Sequence, residues 1–408
     1  MKLKIAVLFG SRTCEHDVSV ISGMQAAGAL NPGEYEVERV YLSREGAWYV
    51  GEALKDMHFY THPDFTKVTR VLPAMGDQKL RLLRTETKKK LFGHEDALYG
   101  EYDVVMPVMH GMNGEDGSLQ GMLELFNVPY TSAGMLGCAV GMDKIAMKQL
   151  FRGCGFPVLE GVWFDRARWG NEHDSIMDEC EKKLAYPMFV KPANLGSSIG
   201  ITRATDRDSL EDAIDTACAY DRRILVEQGV ENPREVNCSV LGYGDQVRTS
   251  ALEMPVTDKE LLNFSEKYLR GAKGASKGMQ SLSRMIPAPI PEEKAGQIRE
   301  LSQKIFRAMD LKGVTRIDFI LDQNDNVFIN EANVIPGSLA FYLWEPEGIS
   351  FSKMLDTMVE AAFRAHADKN GSVYSFDSSI LSGLINGSKG KLARYGGGLR
   401  PPHPPQNR

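Results

Sequence analysis

RIDFILDQNDNVFINEANVIPG, residues 316–337, consists of two alternating apolar runs around the turn residues Gln323 to Asn326. That pattern predicts a β-hairpin. A turn centred on Asn324 and Asp325 sets Asp318 opposite Glu331 and Arg316 opposite Asn333, and the two-residue period puts Glu331 and Asn333 on one face. Two carboxylates facing each other across a ladder repel unless something neutralises them. Carboxylates with an amide carbonyl are the hard oxygen donors that magnesium takes.

A second segment supplies what such a cation would serve. In KPANLGSSIG, residues 191–200, a lysine leaves the apolar strand PMFV and runs directly into a glycine-serine loop. Lys191 brings a charge, Gly196 and Gly200 let backbone N–H groups approach an anion, and Ser197 and Ser198 add hydroxyls. The order is not that of the common phosphate loop, because the lysine precedes the glycines. In ILVEQGVENPREVN, residues 224–237, exposed backbone after Glu227 suits an adenine edge and Glu235 suits ribose hydroxyls. HGMNGEDGSLQG, residues 110–121, places His110, four glycines and an acidic pair at the mouth of a strand, and Glu15 stands at an equivalent strand end. Sites in open α/β sheets form there.

Toward the N-terminus, KIAVLFG reads as a strand and EHDVSVISGMQAAGALN as a helix. YEVERVYLS, AWYV and DVVMPVMHG then read as strands, GSLQGMLELFN as a helix and VPYT as a strand. This alternation predicts a parallel sheet. The polar stretch at 53–97, with its KKK run, reads as an irregular surface insertion. MDKIAMKQLFRGCGFPV predicts a helix closed by Gly153 or Gly155 and then a strand holding Pro157. PEEKAGQIRELSQKIFRAMD predicts an amphipathic helix with Pro291 near its start. Between them, residues 259–288 lack a sustained period and read as a long functional loop. GGGLRPPHPPQNR ends a tail that cannot pack a core.

The chain has 408 residues, 43% of them hydrophobic and 25% charged, enough for two or three domains. Six scattered cysteines without metal-finger spacing point to reduced thiols in a cytoplasm. No apolar run reaches membrane-spanning length. A formal charge of −6 gives no broad attraction to nucleic acid or anionic membrane.

These segments in this order resemble the D-alanine:D-alanine ligase family of the ATP-grasp superfamily over about residues 3 to 365. The resemblance rests on EHDVSVISG, HGMNGEDGSLQG, PYTSAG followed by MDK, KPANLGSSIG, EQGVENPRE, EKY, RIDF and NEANVIPG. It implies a mixed α/β and α+β chain, an ATP-grasp fold behind an N-terminal parallel α/β domain. The expected division is 1–140, a central ATP-grasp subdomain 141–228, a C-terminal subdomain 229–368 with a mobile loop 259–288, and a disordered tail 369–408. It further implies ATP with Mg2+, Mn2+ being an accepted substitute, D-alanine as substrate, a homodimer, no nucleic-acid or membrane partner, and peptidoglycan precursor as the product.

Residue by residue, Lys144 and Lys191 are similar to the two ATP-phosphate lysines, with Lys267, Gly196, Ser197 and Ser198 beside them. Glu227, Val230 and Glu235 are similar to the adenine and ribose contacts, and Asp318, Glu331 and Asn333 to the ligands of two magnesium ions. Glu15 resembles the residue holding the first D-alanine ammonium and His110 one near its carboxylate. Arg316 and the Gly337 backbone resemble groups that stabilise the tetrahedral intermediate. Ser197 and Tyr268 resemble partners linking Glu15 to the mobile loop. Where the family usually has a threonine and, three residues later, a serine for the second substrate's carboxylate, this chain has Leu339 and Tyr342. That departure admits a related ligase taking D-serine, D-lactate or another amino acid second. A non-catalytic ATP-binding regulator is the reading from another class.

Overall fold

The chain opens on strand β1 (Leu3–Gly10), whose Ile5 to Phe9 are fully buried. Burial on both faces is what a parallel strand between layers requires. It pairs in parallel with β2 (Tyr35–Leu42) on one side and β7 (Val104–Pro107) on the other. Helix His16–Ala29 returns across this sheet, and Gly23 permits the approach, because a Cβ there would lie 2.4 Å from the Cβ of Phe9. The computed structural model describes residues 2–87, 97–256 and 284–375. Contacts group Met1–Ala367 into one unit, which carries every strand named here.

The first sheet departs from the expected parallel array beyond β2. It continues through β3 (Trp48–Val50), β4 (Thr69–Met75), β5 (Leu80–Arg84) and β6 (Leu98–Tyr102), each antiparallel to its neighbour. Residues 53–87 are therefore not an irregular insertion; within them β4 and β5 extend the sheet. Their polar residues occupy one exposed face, while Val71, Leu80 and Leu82 are buried on the other.

The second sheet has the order β10 (Thr202–Ala204), β9 (Met188–Pro192), β11 (Arg223–Gln228), β8 (Gly161–Asp165), all antiparallel. Helices Arg166–Lys183 and Arg207–Tyr220 cover one of its faces with a core that includes Ile176, Met177 and Ile214. Asp206 caps the second helix through the Ser209 N–H.

The third sheet has the order β14 (Arg284–Met285), β13 (Gln246–Pro255), β12 (Arg234–Tyr243), β15 (Lys312–Leu321), β16 (Val327–Asn333). The amphipathic helix Glu292–Ala308 lies against it with Ile298, Ser302 and Ile305 buried, and carries Glu292 and Glu293 in its first turn. Acidic residues there complement the helix dipole.

The hairpin β15–β16 has the expected partners at its open end, Arg316 with Asn333 and Asp318 with Glu331. Closer to the turn the register differs by one residue, Phe319 pairing with Ile329, so Asn330 is bulged. The turn is centred on Asn324, half a position earlier than expected, and the bulge restores the register at the carboxylates. Helix Lys144–Gly153, started by Asp143 accepting from the Ala146 N–H, agrees with the reading of MDKIAMKQLFRGCGFPV, but the expected strand holding Pro157 reduces to a single bridge between Val158 and Ile329, and the next strand begins only at Gly161.

Candidate active site

Lys191 leaves β9 into the loop, and its buried Nζ donates to Glu227 Oε2 at 2.6 Å and to Asn330 Oδ1 at 3.3 Å. Lys144, at the start of its helix, donates to the Leu195 carbonyl at 2.6 Å and stands 3.8 Å from Glu331 Oε2. One turn on, Lys148 points the same way: its Nζ is 2.7 Å from Glu227 Oε1 and donates to the Ile329 carbonyl at 2.8 Å. Three ammonium groups thus face two carboxylates. Burial opposes ionisation of Glu227, but Lys148 and Lys191 outweigh it and hold the carboxyl at about 2. Burial in turn pulls the Lys148 ammonium down. Sequence reading did not single out Lys148; its spacing of four from Lys144 is the signal that would have found it.

Both Glu227 oxygens are thus buried against ammonium groups, Oε1 against Lys148 at 2.7 Å and Oε2 against Lys191 at 2.6 Å. Val230 is half-buried in the turn after β11, and Glu235 is exposed on β12, where its carboxylate accepts from Asn237 Nδ2 at 3.2 Å.

The glycine-serine loop bends through left-handed Ser197, Ser198 and Gly200. Ser197 Oγ donates to Glu15 Oε1, and Gly196 must lack a side chain, since a Cβ would lie 2.7 Å from Glu15 Oε2. The loop therefore packs directly on Glu15, the residue before helix His16–Ala29.

Asp318 is buried and held by a fork from Arg316, Nε to Oδ1 and Nη2 to Oδ2, both 2.7 Å, while Asn333 Nδ2 donates to Oδ2 at 2.9 Å. Burial pushes the Asp318 carboxyl up, Arg316 opposes that, and Glu331 adds to it. Among the described residues no three His, Cys, Asp or Glu side chains converge as a metal cluster. The two opposed carboxylates with the Asn333 amide nonetheless form an oxygen donor set that fits magnesium or manganese.

His110 is buried, with Nδ1 2.8 Å from the Ile335 carbonyl and Nε2 2.8 Å from Ser22 Oγ. A carbonyl only accepts, so Nδ1 carries the proton and the Ser22 hydroxyl donates to Nε2. Burial lowers His110 to about 4, keeping it neutral. Ser22 Oγ in turn accepts from the Ser338 N–H at 2.9 Å. Glu115 accepts from the Gly111 N–H at 2.7 Å and the Ile335 N–H at 3.1 Å. Burial and then the Glu15 charge raise it to about 8.

Gly337 opens a turn in which Ser338, Leu339 and Ala340 have φ of 50°, 53° and 52°. Left-handed backbone costs roughly 1–2 kcal/mol per non-glycine residue, so the turn persists because its surroundings hold it. Tyr342, two residues on, is buried. Its hydroxyl donates to Glu253 Oε1 at 2.8 Å, and the Arg284 guanidinium lies 3.9 Å over its ring and donates to Glu253 Oε2 at 3.1 Å. Lys267 and Tyr268 lie outside the described residues, as do most of the expected loop 259–288 and residues 376–408 of the tail.

An α/β domain preceding two antiparallel sheets, with lysines, a glycine-serine loop and a carboxylate hairpin between them, is the ATP-grasp arrangement. Residues 4–133 match the family model for the D-ala D-ala ligase N-terminus, and residues 150–360 that for the D-ala D-ala ligase C-terminus. The chain belongs to the D-alanine–D-alanine ligase family. It is 34% identical to a D-alanine–D-alanine ligase of Thermosipho africanus, covering 93% of this chain and 98% of that one. It is 37% identical to one of Thermoanaerobacter sp., covering 90% and 98%. Among solved structures it is similar to the Coxiella burnetii D-alanine-D-alanine ligase, with TM-score 0.73, 25% identity and coverage of 95% and 99%. It is likewise similar to the VanG D-Ala:D-Ser ligase of Enterococcus faecalis, with TM-score 0.73, 28% identity and coverage of 89% and 100%.

Proposed function

We propose that the protein joins two D-alanines at the expense of ATP, through an acyl phosphate, to supply D-alanyl-D-alanine for peptidoglycan. A carboxylate oxygen of the first D-alanine attacks the γ-phosphorus and ADP leaves. The amine of the second attacks the acyl carbon, loses a proton, and phosphate departs. The supporting observation is the β15–β16 hairpin, which sets Arg316, Asp318, Glu331 and Asn333 on the same site as Lys144 and Lys191.

The assigned roles follow the chemistry of each group. Lys144, Lys191 and the loop Gly196–Ser198 bind phosphates, with Lys267 assigned beside them. The backbone after Glu227, with Val230, takes the adenine, and Glu235 takes the ribose. Magnesium held by Asp318, Glu331 and Asn333 would reduce repulsion between phosphate and carboxylate. Glu15 receives the first ammonium and is linked through Ser197 to Tyr268. His110 is assigned beside the first carboxylate without a ring N–H to give it, since Ile335 and Ser22 hold both its nitrogens. Arg316 and the Gly337 N–H stabilise the tetrahedral charge.

The proposed chain division 1–140, 141–228 and 229–368 is supported by one sheet in each part. We assign the protein to the cytoplasm on its six free cysteines; no helix among the described residues is long and apolar enough to cross a membrane. A homodimer is supported by Leu125, Met135 and Leu136, exposed on neighbouring helices, and sedimentation tests it.

Leu339 and Tyr342 favour one second reading, a ligase that takes D-serine or D-lactate second. Phosphate release with D-alanine alone and with candidate pairs, with products identified by mass, separates the two. D-Alanine alone sustains turnover in the first reading and fails in the second.

A further inference from the structure

The peptides on either side of Gly337 are gripped from the N-terminal domain by three side chains that leave little freedom. The Ile335 peptide is held at both ends, its N–H by Glu115 Oε1 at 3.1 Å and its carbonyl by His110 Nδ1–H at 2.8 Å. The Ser338 N–H is held by Ser22 Oγ at 2.9 Å, and that hydroxyl donates to His110 Nε2 at 2.8 Å. Glu115 closes the circuit by accepting from Gly111, the residue after His110.

The protons on His110 and Ser22 each have one allowed place. The Ile335 carbonyl forces the proton onto Nδ1, the bare Nε2 forces the Ser22 hydroxyl to donate, and the freed oxygen lone pair accepts from Ser338. Both ring nitrogens of His110 are thereby engaged with the protein. Ser22 and His110 are 1% and 3% exposed, so water does not replace these bonds.

We propose that Ser22, His110 and Glu115 form a positioning clamp whose task is to fix the Ile335–Ser338 backbone, and with it the Gly337 N–H, against the acyl carbon. They are positioning residues, acting through the backbone. The left-handed run at Ser338, Leu339 and Ala340 is the strain this clamp restrains. His110 kept neutral at about 4 preserves the hydrogen-bond direction through physiological pH. The clamp fixes a donor that matters once negative charge develops at the acyl carbon, so it serves the amine-attack step rather than phosphoryl transfer.

This inference rests on the ligase reading, and one experiment separates the failure of either. ATP carrying 18O in the β,γ-bridge is incubated with D-alanine, and scrambling of the label into the β-nonbridging positions, which reports reversible acyl phosphate formation, is compared with net dipeptide formation. Loss of the clamp slows the second step and lets the acyl phosphate return. Ser22→Ala and Glu115→Gln are expected to raise the ratio of scrambling to dipeptide at least tenfold, with the KM for ATP within about threefold of the parent. Ser22→Thr, which keeps the hydroxyl, is expected to stay near the parental ratio. An unchanged ratio in folded Ser22→Ala and Glu115→Gln, whether or not turnover falls, overturns the clamp. Absence of both scrambling and dipeptide in the parent overturns the ligase reading instead.

Discussion

Asp318 and Glu331 stand directly opposite each other on β15 and β16, one step before the ladder slips at Asn330. Arg316 and Asn333 attend the first, and Lys144 approaches the second at 3.8 Å. Glu331→Gln keeps the shape and removes one of two charges available to a cation. Turnover is expected to fall at least a hundredfold, with the remaining activity needing more magnesium. An unchanged rate and magnesium dependence in a steady-state assay contradicts the metal assignment.

Lys148 and Lys191 share the Glu227 carboxylate. Removing one partner from a buried ion pair typically costs about 3–5 kcal/mol. Lys148→Met is expected to lower stability by that order in chemical denaturation and to raise the KM for ATP, since Glu227 loses its orientation. Adding Glu227→Gln is expected to recover part of the stability but not the KM. A single variant as stable as the parent contradicts the triad.

His110 folds as a neutral base at about 4, against 6.5 when unfolded. Between those values the unfolded chain binds the additional proton, so this group's contribution is full above 6.5 and lost as pH falls toward 4. The loss amounts to about 3 kcal/mol. Stability of the parent minus that of His110→Gln, followed by denaturant unfolding across this window, is expected to decline toward acid. A flat difference contradicts a buried neutral imidazole.

Tyr342 spends its hydroxyl on Glu253 rather than on the site. Tyr342→Phe keeps the ring under Arg284 and leaves a buried acceptor short of one donor, a loss of about 1–3 kcal/mol in stability. The KM for the second D-alanine is expected to change less than tenfold. A hundredfold rise indicates that the hydroxyl binds that substrate.

Much of this site is legible in the chain because its parts are local. The hairpin register at Asp318 follows from period two and a turn, although the turn centre lies half a residue earlier and the bulge at Asn330 compensates, a cancellation that alternation alone does not reveal. β4 and β5 were hidden because strands with one exposed face carry enough polar residues to read as a loop. Lys148 escaped notice, and Glu115 stood out only as one of an acidic pair with no role, for a different reason. A lysine on a helix and a carboxylate in a glycine-rich loop are ordinarily solvated, and only tertiary packing buries these two against partners distant in the chain. The tautomer of His110 likewise depends on Ile335, 225 positions away.

The proposed ligase reaction requires that a D-alanine carboxylate be phosphorylated before it is joined. D-Alanine carrying 18O in both carboxylate oxygens, turned over with unlabelled ATP, tests it by mass analysis of the released phosphate. One 18O atom per phosphate is the predicted result, because the oxygen that attacks the γ-phosphorus leaves with it. Unlabelled phosphate accompanying dipeptide formation contradicts the acyl phosphate and the site roles built on it.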